Sequence, residues 1–456
     1  MSKGGGTFLN RKKLLRDTAL LTGSSLVMRC IALMFQVWLV ARIGAAGTGL
    51  YGLVGSVGFL AATVAISGIR FAATRLVSEE IGLERRGGVS EAVRLCICYS
   101  LFFGVSSAAI LWLCAEPIGF LWVGDARTVL SLKIVSLSLP FISLSSVLYG
   151  YFTACGRISK AAVVQVLEQL VRISLVVLFL KRAPSDDLEK CCAAVSLGGS
   201  MAELCSFLMM VVAYILDRKK YASVPEPSPR LPARMLSIAV PLALSAYARS
   251  SLSTLEQLMV PRGLKKAGWS ANGALAGYGT IQGMVFPILF FPSCILTALS
   301  ELIIPELTAA QVSGRKDDIA RSVSSLLRTS LALSCFIAVM LWLLAGFLGD
   351  AIYHSVDAGR YLRIFAPLIP VMYTDMVTDG CLKGLGQHLA SMSFNILEAL
   401  CGVILVWLLL PRFGLNGYIG ILYFEEIFNF LLSIHRLSRV TQLNLFRRPT
   451  AHAAGG

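Results

Sequence analysis

Charged residues are scarce in this sequence. Only 15% of its 456 residues are Asp, Glu, Lys or Arg, whereas 56% are hydrophobic. Soluble globular domains carry about 25% charged residues, which cover the surface exposed to water. A chain with so few charges cannot cover its apolar surface in water. The composition therefore excludes a soluble globular protein and indicates a polytopic membrane protein.

Signatures of catalysis and metal binding are also missing. The four histidines are scattered, and the sequence contains neither an HExxH motif nor a phosphate-binding loop followed by Lys and Ser or Thr. The twelve cysteines lack metal-ligand spacing, and most lie inside apolar runs, where cysteine packs as a small hydrophobe. These absences argue against an enzyme, a metal site, a bound cofactor and an ATP-driven pump.

Long apolar runs recur along the whole chain. A helix of about 20 apolar residues crosses the hydrocarbon core of a bilayer. We predict an all-α polytopic membrane protein with about twelve transmembrane helices. Their approximate spans are 17–43, 47–78, 93–115, 128–154, 158–180, 191–216, 235–260, 273–307, 322–345, 361–383, 389–410 and 417–436.

Basic residues alternate between rich and poor segments along the chain. The net charge of +15 arises mostly from Lys and Arg between the apolar runs, as in residues 11–16 and 218–234. This alternation is typical of membrane topology and not of a nucleic-acid-binding patch. Lys- and Arg-rich loops face the cytoplasm, so we expect a multi-pass plasma-membrane protein with both termini in the cytoplasm.

The segment 217–234 divides the chain. Its sequence, DRKKYASVPEPSPRLPAR, contains four prolines, which disfavour a continuous helix. We interpret it as a cytoplasmic linker between an N-terminal six-helix bundle, 1–216, and a C-terminal six-helix bundle, 235–456. An ordinary loop between helices is the alternative.

An internal repeat supports this division. A shift of 230 residues superposes 111–180 on 341–410 without a gap. It aligns a tryptophan, a proline, two glycines and a glutamate: Trp112 with Trp342, Pro140 with Pro370, Gly150 with Gly380, Gly156 with Gly386, and Glu168 with Glu398. Six helices per half is an even number, so the two bundles are predicted to be parallel pseudo-symmetric repeats around a central cleft.

Arginines within spanning helices are candidates for the functional site, because charge at membrane depth is costly. A shift of 220 aligns the polar residues of the first helix, Ser25, Arg29 and Gln36, with Ser245, Arg249 and Glu256 of the seventh. We expect both stripes, and Arg70 of the second helix, to face the cleft. Guanidinium groups bind phosphate through paired hydrogen bonds.

The alternative is that these arginines are neutralised by acids. Glu256 or Glu301 would then form packing salt bridges with them. Arg172 lies four residues after Glu168, so we expect an ion pair along one helical face.

Acidic residues at membrane depth suggest a second kind of site. Asp375 and Asp379 are four residues apart on the tenth predicted helix, where paired carboxylates can hold Na⁺ or a proton as coupling ion. Solvation of Asp379 near the helix end is the rival interpretation. Glu168 and Glu398 are expected to have a shared structural role.

Three stretches carry a family resemblance. They are GTGLYGLVGSVGFLAATVAISGIRFAATRLVSEE, LYGYFTACGRISKAAVVQVLEQLVRI and DGCLKGLGQHLASMSFNILEAL. With them the chain resembles the multidrug/oligosaccharidyl-lipid/polysaccharide exporter superfamily (MOP), in its polysaccharide-transporter branch, which includes stage V sporulation protein B. The resemblance implies two bundles that rock about a central cavity and move lipid-linked sugars across the membrane.

The resemblance also implies cavity arginines on the first, second and eighth helices. Arg29 and Arg70 match the first two by helix, whereas the predicted eighth helix carries no arginine at membrane depth and Arg249 on the seventh is the substitute.

We therefore expect a flippase for an undecaprenyl-pyrophosphate-linked oligosaccharide or peptidoglycan precursor, serving the cell wall, surface polysaccharide or sporulation. The alternatives are a cation-coupled multidrug antiporter and a non-transporting scaffold that recruits cell-wall synthesis enzymes. Membrane lipids and the lipid-linked sugar are the expected partners.

Overall fold

The regular elements of the described chain are helices. The computed structural model describes residues 11–83, 85–184, 187–218, 230–297, 307, 311 and 316–441. The helices are α1 (Arg11–Ile66), α2 (Ile69–Gly82), α3 (Arg86–Pro117), α4 (Val129–Ser136), α5 (Leu139–Ala154), α6 (Ile158–Leu180), α7 (Leu188–Arg218), α8 (Leu231–Lys266), α9 (Ala271–Gly279), α10 (Phe286–Phe290), α11 (Lys316–Tyr353), α12 (Val356–Phe365), α13 (Ile369–Gly384) and α14 (His388–Thr441). Short π-helical turns lie at Ile118–Val123 and Thr280–Val285, and 3₁₀ turns at Ala126–Thr128 and Ala366–Leu368.

The two longest helices are each two spans joined at a glycine. α1 has 56 residues and α14 has 54. At about 1.5 Å per residue, either length is more than twice the hydrocarbon thickness of a bilayer. Gly44 in α1 and Gly414 in α14 have φ angles of 71° and 55°, a conformation that favours glycine and breaks the helix. The predicted ends at 43 and 410 lie close to these breaks.

The second predicted span is not one helix, which corrects the continuous 47–78 expected from the sequence. Ser67 and Gly68 have φ angles of 45° and 72° and separate α1 from α2. Two tyrosine hydroxyl groups form hydrogen bonds with the side chain at this break. Tyr247 donates to Ser67 Oγ at 2.7 Å, and Tyr99 Oη lies 2.9 Å from the same oxygen. Hydropathy alone does not reveal this break, since apolar residues continue on both sides of it.

The described helices are consistent with about twelve spans. Eight are long and apolar enough to cross a membrane, and the bent pair of Ala126–Ser136 with Leu139–Ala154 adds a ninth. Division of α1 and α14 at their glycines adds two more. The remaining predicted span, 361–383, corresponds to α12 and α13, two shorter helices separated by the 3₁₀ turn. The chain is thus an all-α polytopic membrane protein.

The internal repeat recurs in the backbone. α5 and α13 each have 16 residues, with Pro140 and Pro370 as their second residues. The turns after them contain Gly156 and Gly386, whose φ angles are 67° and 72°. The shift of 230 residues found in the sequence therefore applies to helix starts, helix lengths and turns.

The hydrogen bonds of these turns repeat as well. The Arg157 amide donates to the Phe152 carbonyl at 2.9 Å, and the Gln387 amide donates to the Leu382 carbonyl at 2.8 Å. This is the bond that closes a helix through a left-handed glycine and satisfies an otherwise free terminal carbonyl. The same local device ends both helices.

Contact density divides the chain into two units. The larger unit comprises Met34–Met284 and Gly402–Tyr418, and the smaller unit comprises Met1–Leu33, Val285–Cys401 and Ile419–Gly456. α7 ends at Arg218 and α8 begins at Leu231, while residues 219–229 of the predicted linker lie outside the described residues. The boundaries 1–216, 217–234 and 235–456 stay a prediction.

Glycines allow close helix contacts within each unit. In the larger unit, a Cβ on Gly49 would lie 2.2 Å from the Leu275 carbonyl oxygen. In the smaller unit, a Cβ on Gly349 would lie 2.4 Å from the Gly359 amide, where α11 and α12 meet. Small residues at such crossings let the two backbones touch, which compensates for the weak hydrophobic drive inside a bilayer.

Candidate functional site

Arg29 binds a broken helix in the smaller unit. Its guanidinium donates to Ser293 Oγ at 3.2 Å and to the Phe290 carbonyl at 3.5 Å. Pro292 has no backbone N–H, so the carbonyls before it lose part of their helical partners. Tyr373 donates to the Leu289 carbonyl in the same break. Arg29 therefore has a structural role at a helix end, where a cation is favoured, in addition to any contact with cargo.

Arg70 and Arg249 lie in the larger unit and are both exposed. The Arg70 guanidinium carbon lies 4.5 Å from the centre of the Tyr149 ring, which is a cation–π contact. Arg249 is in the middle of α8. Within the described residues, neither arginine forms an ion pair. Charge at this depth without a counter-ion favours an external anionic partner.

The residues of the two predicted polar stripes have different hydrogen-bond partners in the structure. The Ser25 side chain lies outside the described residues. Gln36 donates to the Gly283 carbonyl at 2.9 Å, in the π-helical turn after α9, so it joins two helices of the larger unit. Ser245 donates to the Leu242 carbonyl of its own helix at 3.0 Å, and Glu256 is half-buried on α8. Convergence of the predicted residues on one head group stays a prediction.

A polar cluster missed by sequence reasoning lies beside Glu256. Ser56 hydrogen bonds to the Gln257 side chain, and Tyr278 donates to the same amide oxygen at 3.3 Å. Thr254 donates to the Ser56 carbonyl at 3.1 Å. These residues come from three helices of the larger unit. No spacing in the sequence joins Ser56 to the others, because it is 201 residues from Gln257 along the chain.

Asp375 and Asp379 have different partners. Asp375 is buried on α13, and Asn429 of α14 donates to one of its oxygens at 3.2 Å. Asp379 pairs with Lys383 of its own helix and accepts from Ser391. Asp379 is therefore neutralised by Lys383, whereas Asp375 forms no ion pair within the described residues.

One further acid, Glu426 of α14, lies near Asp375. Glu425 is buried on α14, and the adjacent Glu426 is close enough to Asp375 to interact with it electrostatically. The spacing of 50 residues between α13 and this part of α14 hides the cluster in the sequence. Across the residues that the structure describes, no group of three or more His, Cys, Asp and Glu side chains has the arrangement of a metal site.

The expected ion pair of Arg172 is confirmed and extended. Arg172 donates to Glu168 at 2.8 Å and to Glu203 of α7 at 2.7 Å. Ser206 donates to the other oxygen of Glu168 at 2.8 Å. The i to i+4 spacing predicted the first bond, whereas the second depends on the packing of α6 against α7.

Two family models and two bacterial proteins match the sequence of this chain. The family model described as polysaccharide biosynthesis protein matches residues 14–299, and a second model, MatE, matches residues 267–408. Stage V sporulation protein B of Bacillus subtilis (strain 168) is 26% identical over 417 residues, which cover 89% of this chain and 80% of that protein. Lipid II flippase MurJ of the same organism is 23% identical over 426 residues, 86% of this chain and 76% of the relative.

A solved structure shows the same fold. The inward-facing conformation of a multidrug resistance MATE family transporter of the MOP superfamily superposes with a TM-score of 0.72. The match covers 91% of this chain and 96% of that structure, at 15% sequence identity. At this identity the likeness concerns the arrangement of helices and not the cargo.

Proposed function

Since the chain belongs to the polysaccharide biosynthesis protein family, in the polysaccharide-transporter branch of the MOP superfamily, we propose that it flips a lipid-linked sugar across the plasma membrane. The cargo class is an undecaprenyl-pyrophosphate-linked oligosaccharide or peptidoglycan precursor, and a role in sporulation is part of the proposal. The relatives named as a sporulation protein and as a lipid II flippase support this choice.

One observation carries the proposal. Arg70 and Arg249 lie in membrane helices of the larger unit, and among the described residues neither has an acidic partner. A guanidinium in an apolar environment is stabilised by an anion that accepts two hydrogen bonds, as a pyrophosphate oxygen pair does. A cationic drug would be repelled by the same groups. Arg29, held by Ser293, is the third proposed contact.

We propose an orientation and a coupling site to accompany this activity. The excess of basic residues in residues 11–16 and 218–234 favours both termini in the cytoplasm, with the linker 217–234 on the same side. Asp375, with Asn429 and the nearby Glu426, has the oxygen atoms that a Na⁺ ion or a proton would use. Asp379 is a weaker candidate because Lys383 neutralises it.

Complementation tests the anionic cargo. A bacterium depleted of its own lipid II flippase would express the chain or its variants Arg70→Ala, Arg249→Ala and the triple variant with Arg29→Ala. We expect the chain to prevent accumulation of the lipid-linked precursor on the inner leaflet. Each single variant should reduce the initial rate of flipping more than tenfold, because a charge-assisted hydrogen bond contributes about 1.5–3 kcal/mol.

The control is Arg182→Ala. Arg182 is exposed and is predicted to lie on the non-cytoplasmic side of the membrane. All variants must reach the membrane in equal amounts. Full complementation by the triple variant would show that the arginines do not hold the cargo.

The second candidate function is a cation-coupled multidrug antiporter. The buried Asp375 favours it, because one of its carboxylate oxygens accepts no hydrogen bond from the described residues and would be available to a cation. Ethidium efflux that depends on Na⁺ or pH and is abolished by Asp375→Asn would support this alternative. Efflux in the absence of precursor flipping would select it over the flippase.

A further inference from the structure

Three helix ends of the larger unit line an open cavity of about 650 Å³. The walls come from the end of α8, the π-helical turn after α3, and residues 406–411 of α14. α8 and α14 pack closely here, since a Cβ on Gly263 would lie 2.7 Å from Leu410 Cβ. The basic-residue pattern places all three helix ends on the side of the membrane with fewer Lys and Arg residues.

One end of the cavity is cationic. Arg262, Lys265 and Lys266 line it together. Lys265 donates to the Gly124 carbonyl at 3.1 Å, which draws its ammonium over the loop after α3. Within the described residues, Arg262 and Lys266 form no ion pair, so their charge is available to a ligand.

The acid in the adjoining loop does not neutralise this end. Asp125 is bound by Arg127, with an Nη2 to Oδ2 distance of 2.7 Å. Burial would raise the pKa of Asp125, but the hydrogen bonds from Arg127 outweigh burial and hold the pKa below its usual value. Asp125 is therefore offset by Arg127; it also attracts Lys265, and the cationic end keeps a net positive charge from Arg262 and Lys266.

The other end of the cavity is apolar. Leu255 is one of its lining residues, and it lies eleven residues before Lys266 on α8, about 16 Å deeper at 1.5 Å per residue. Trp122 and Trp407 also line the cavity and are 50% and 63% exposed. Tryptophans are typical of the level of lipid head groups.

We propose that this cavity binds a phosphate-bearing anionic membrane lipid, with the phosphate on Arg262, Lys265 and Lys266 and an acyl chain along the apolar wall. The charge complements a phosphodiester, and the continuation into an apolar wall selects a lipid over a soluble phosphate. Arg70 and Arg249 are not among the residues that line the cavity, and the proposal does not depend on the transported cargo.

Native mass spectrometry of the purified full-length protein tests the site. The protein is mixed with phosphatidylglycerol or phosphatidylcholine of identical acyl chains, and the bound lipid is counted. We expect preferential retention of phosphatidylglycerol. In the triple variant Arg262→Gln, Lys265→Gln, Lys266→Gln, the ratio of bound phosphatidylglycerol to bound phosphatidylcholine should fall about tenfold or more. Each basic residue attracts an anionic lipid independently. Arg262→Gln alone should lose part of it.

The matched control removes the same charge elsewhere in the unit. The triple variant Lys181→Gln, Arg182→Gln, Lys190→Gln lies on the same predicted side and outside the cavity, and it should retain the full preference. An unchanged preference in both Arg262 variants would refute the site. Displacement of phosphatidylglycerol by equimolar inorganic phosphate would also refute it, since the ligand would then be a free anion.

Discussion

At the scale of single residues, the membrane-embedded arginines differ in what surrounds them. Arg172 is shared by two carboxylates, Arg29 caps a broken helix, and Arg249 has no ion-pair partner among the described residues. In the sequence, all three are arginines within apolar runs, and nothing else distinguishes Arg29 from Arg249. Only the first has a partner that i to i+4 spacing reveals.

The Arg172 cluster should contribute strongly to stability. Arg172→Met leaves Glu168 and Glu203 close together without their common counter-ion. Removal of one partner of a buried ion pair costs about 3–5 kcal/mol; because these side chains are 20–30% exposed, we expect the lower end. Intrinsic fluorescence during thermal unfolding in detergent should show a clearly lower midpoint.

Two further variants test the electrostatic cause. The triple variant Glu168→Gln, Arg172→Met, Glu203→Gln removes all three charges and should recover most of the midpoint. Lys133→Met removes a surface pair with Glu116, which is 63% exposed, and should change the midpoint little. An Arg172→Met midpoint equal to that of the unmodified chain would contradict this account.

At the scale of elements, glycine and proline positions define the repeat. Pro140 and Pro370 start equivalent helices, and Gly156 and Gly386 end them. Both residue types act through the backbone, so their positions in the sequence specify local geometry directly. The repeat was therefore predictable from particular residues. The break at Ser67 and Gly68 was not, since Gly52, Gly55 and Gly58 of the same apolar run are helical.

Alanine at the two turn glycines should destabilise both repeats equally. Gly156→Ala and Gly386→Ala place a side chain at a φ of about +70°, although a Cβ at either position meets no atom within 4 Å. The cost is therefore conformational, about 1–2 kcal/mol. Thermal unfolding should show similar decreases for the two variants.

The control for these turns is a glycine inside a helix. Gly199 of α7 also has no atom within 4 Å of a Cβ position, and its φ is helical. Gly199→Ala should therefore stabilise the protein by about 0.5–1 kcal/mol. Opposite signs at Gly199 and Gly386 are the diagnostic result; equal effects would mean that the left-handed turn does not determine the cost.

At the scale of the whole molecule, we predict the orientation in the membrane from the basic residues and from an even number of spans. Residues 11–16 and 218–234 are rich in Lys and Arg, and an even number of spans returns the C-terminus to the side of the N-terminus.

Reporter fusions measure the orientation. Alkaline phosphatase fused after residue 456 or inserted after residue 229 should be inactive, whereas insertion after Arg182 should give active enzyme, since the phosphatase folds only outside the cytoplasm. Green fluorescent protein at the same three positions should give the reverse pattern. Activity after residue 456 would invert the proposed topology.

The sequence by itself determined the membrane class, most span positions, the repeat and the Glu168–Arg172 pair, because each of these depends on composition or on residues close together along the chain. Tertiary structure alone decided that Glu203 joins Arg172, that Tyr99 and Tyr247 hold the break at Ser67, and that Arg262 shares a cavity with Trp407. Apolar helices of similar composition pack in many ways, so which distant side chains meet depends on how the helices pack and not on local pattern.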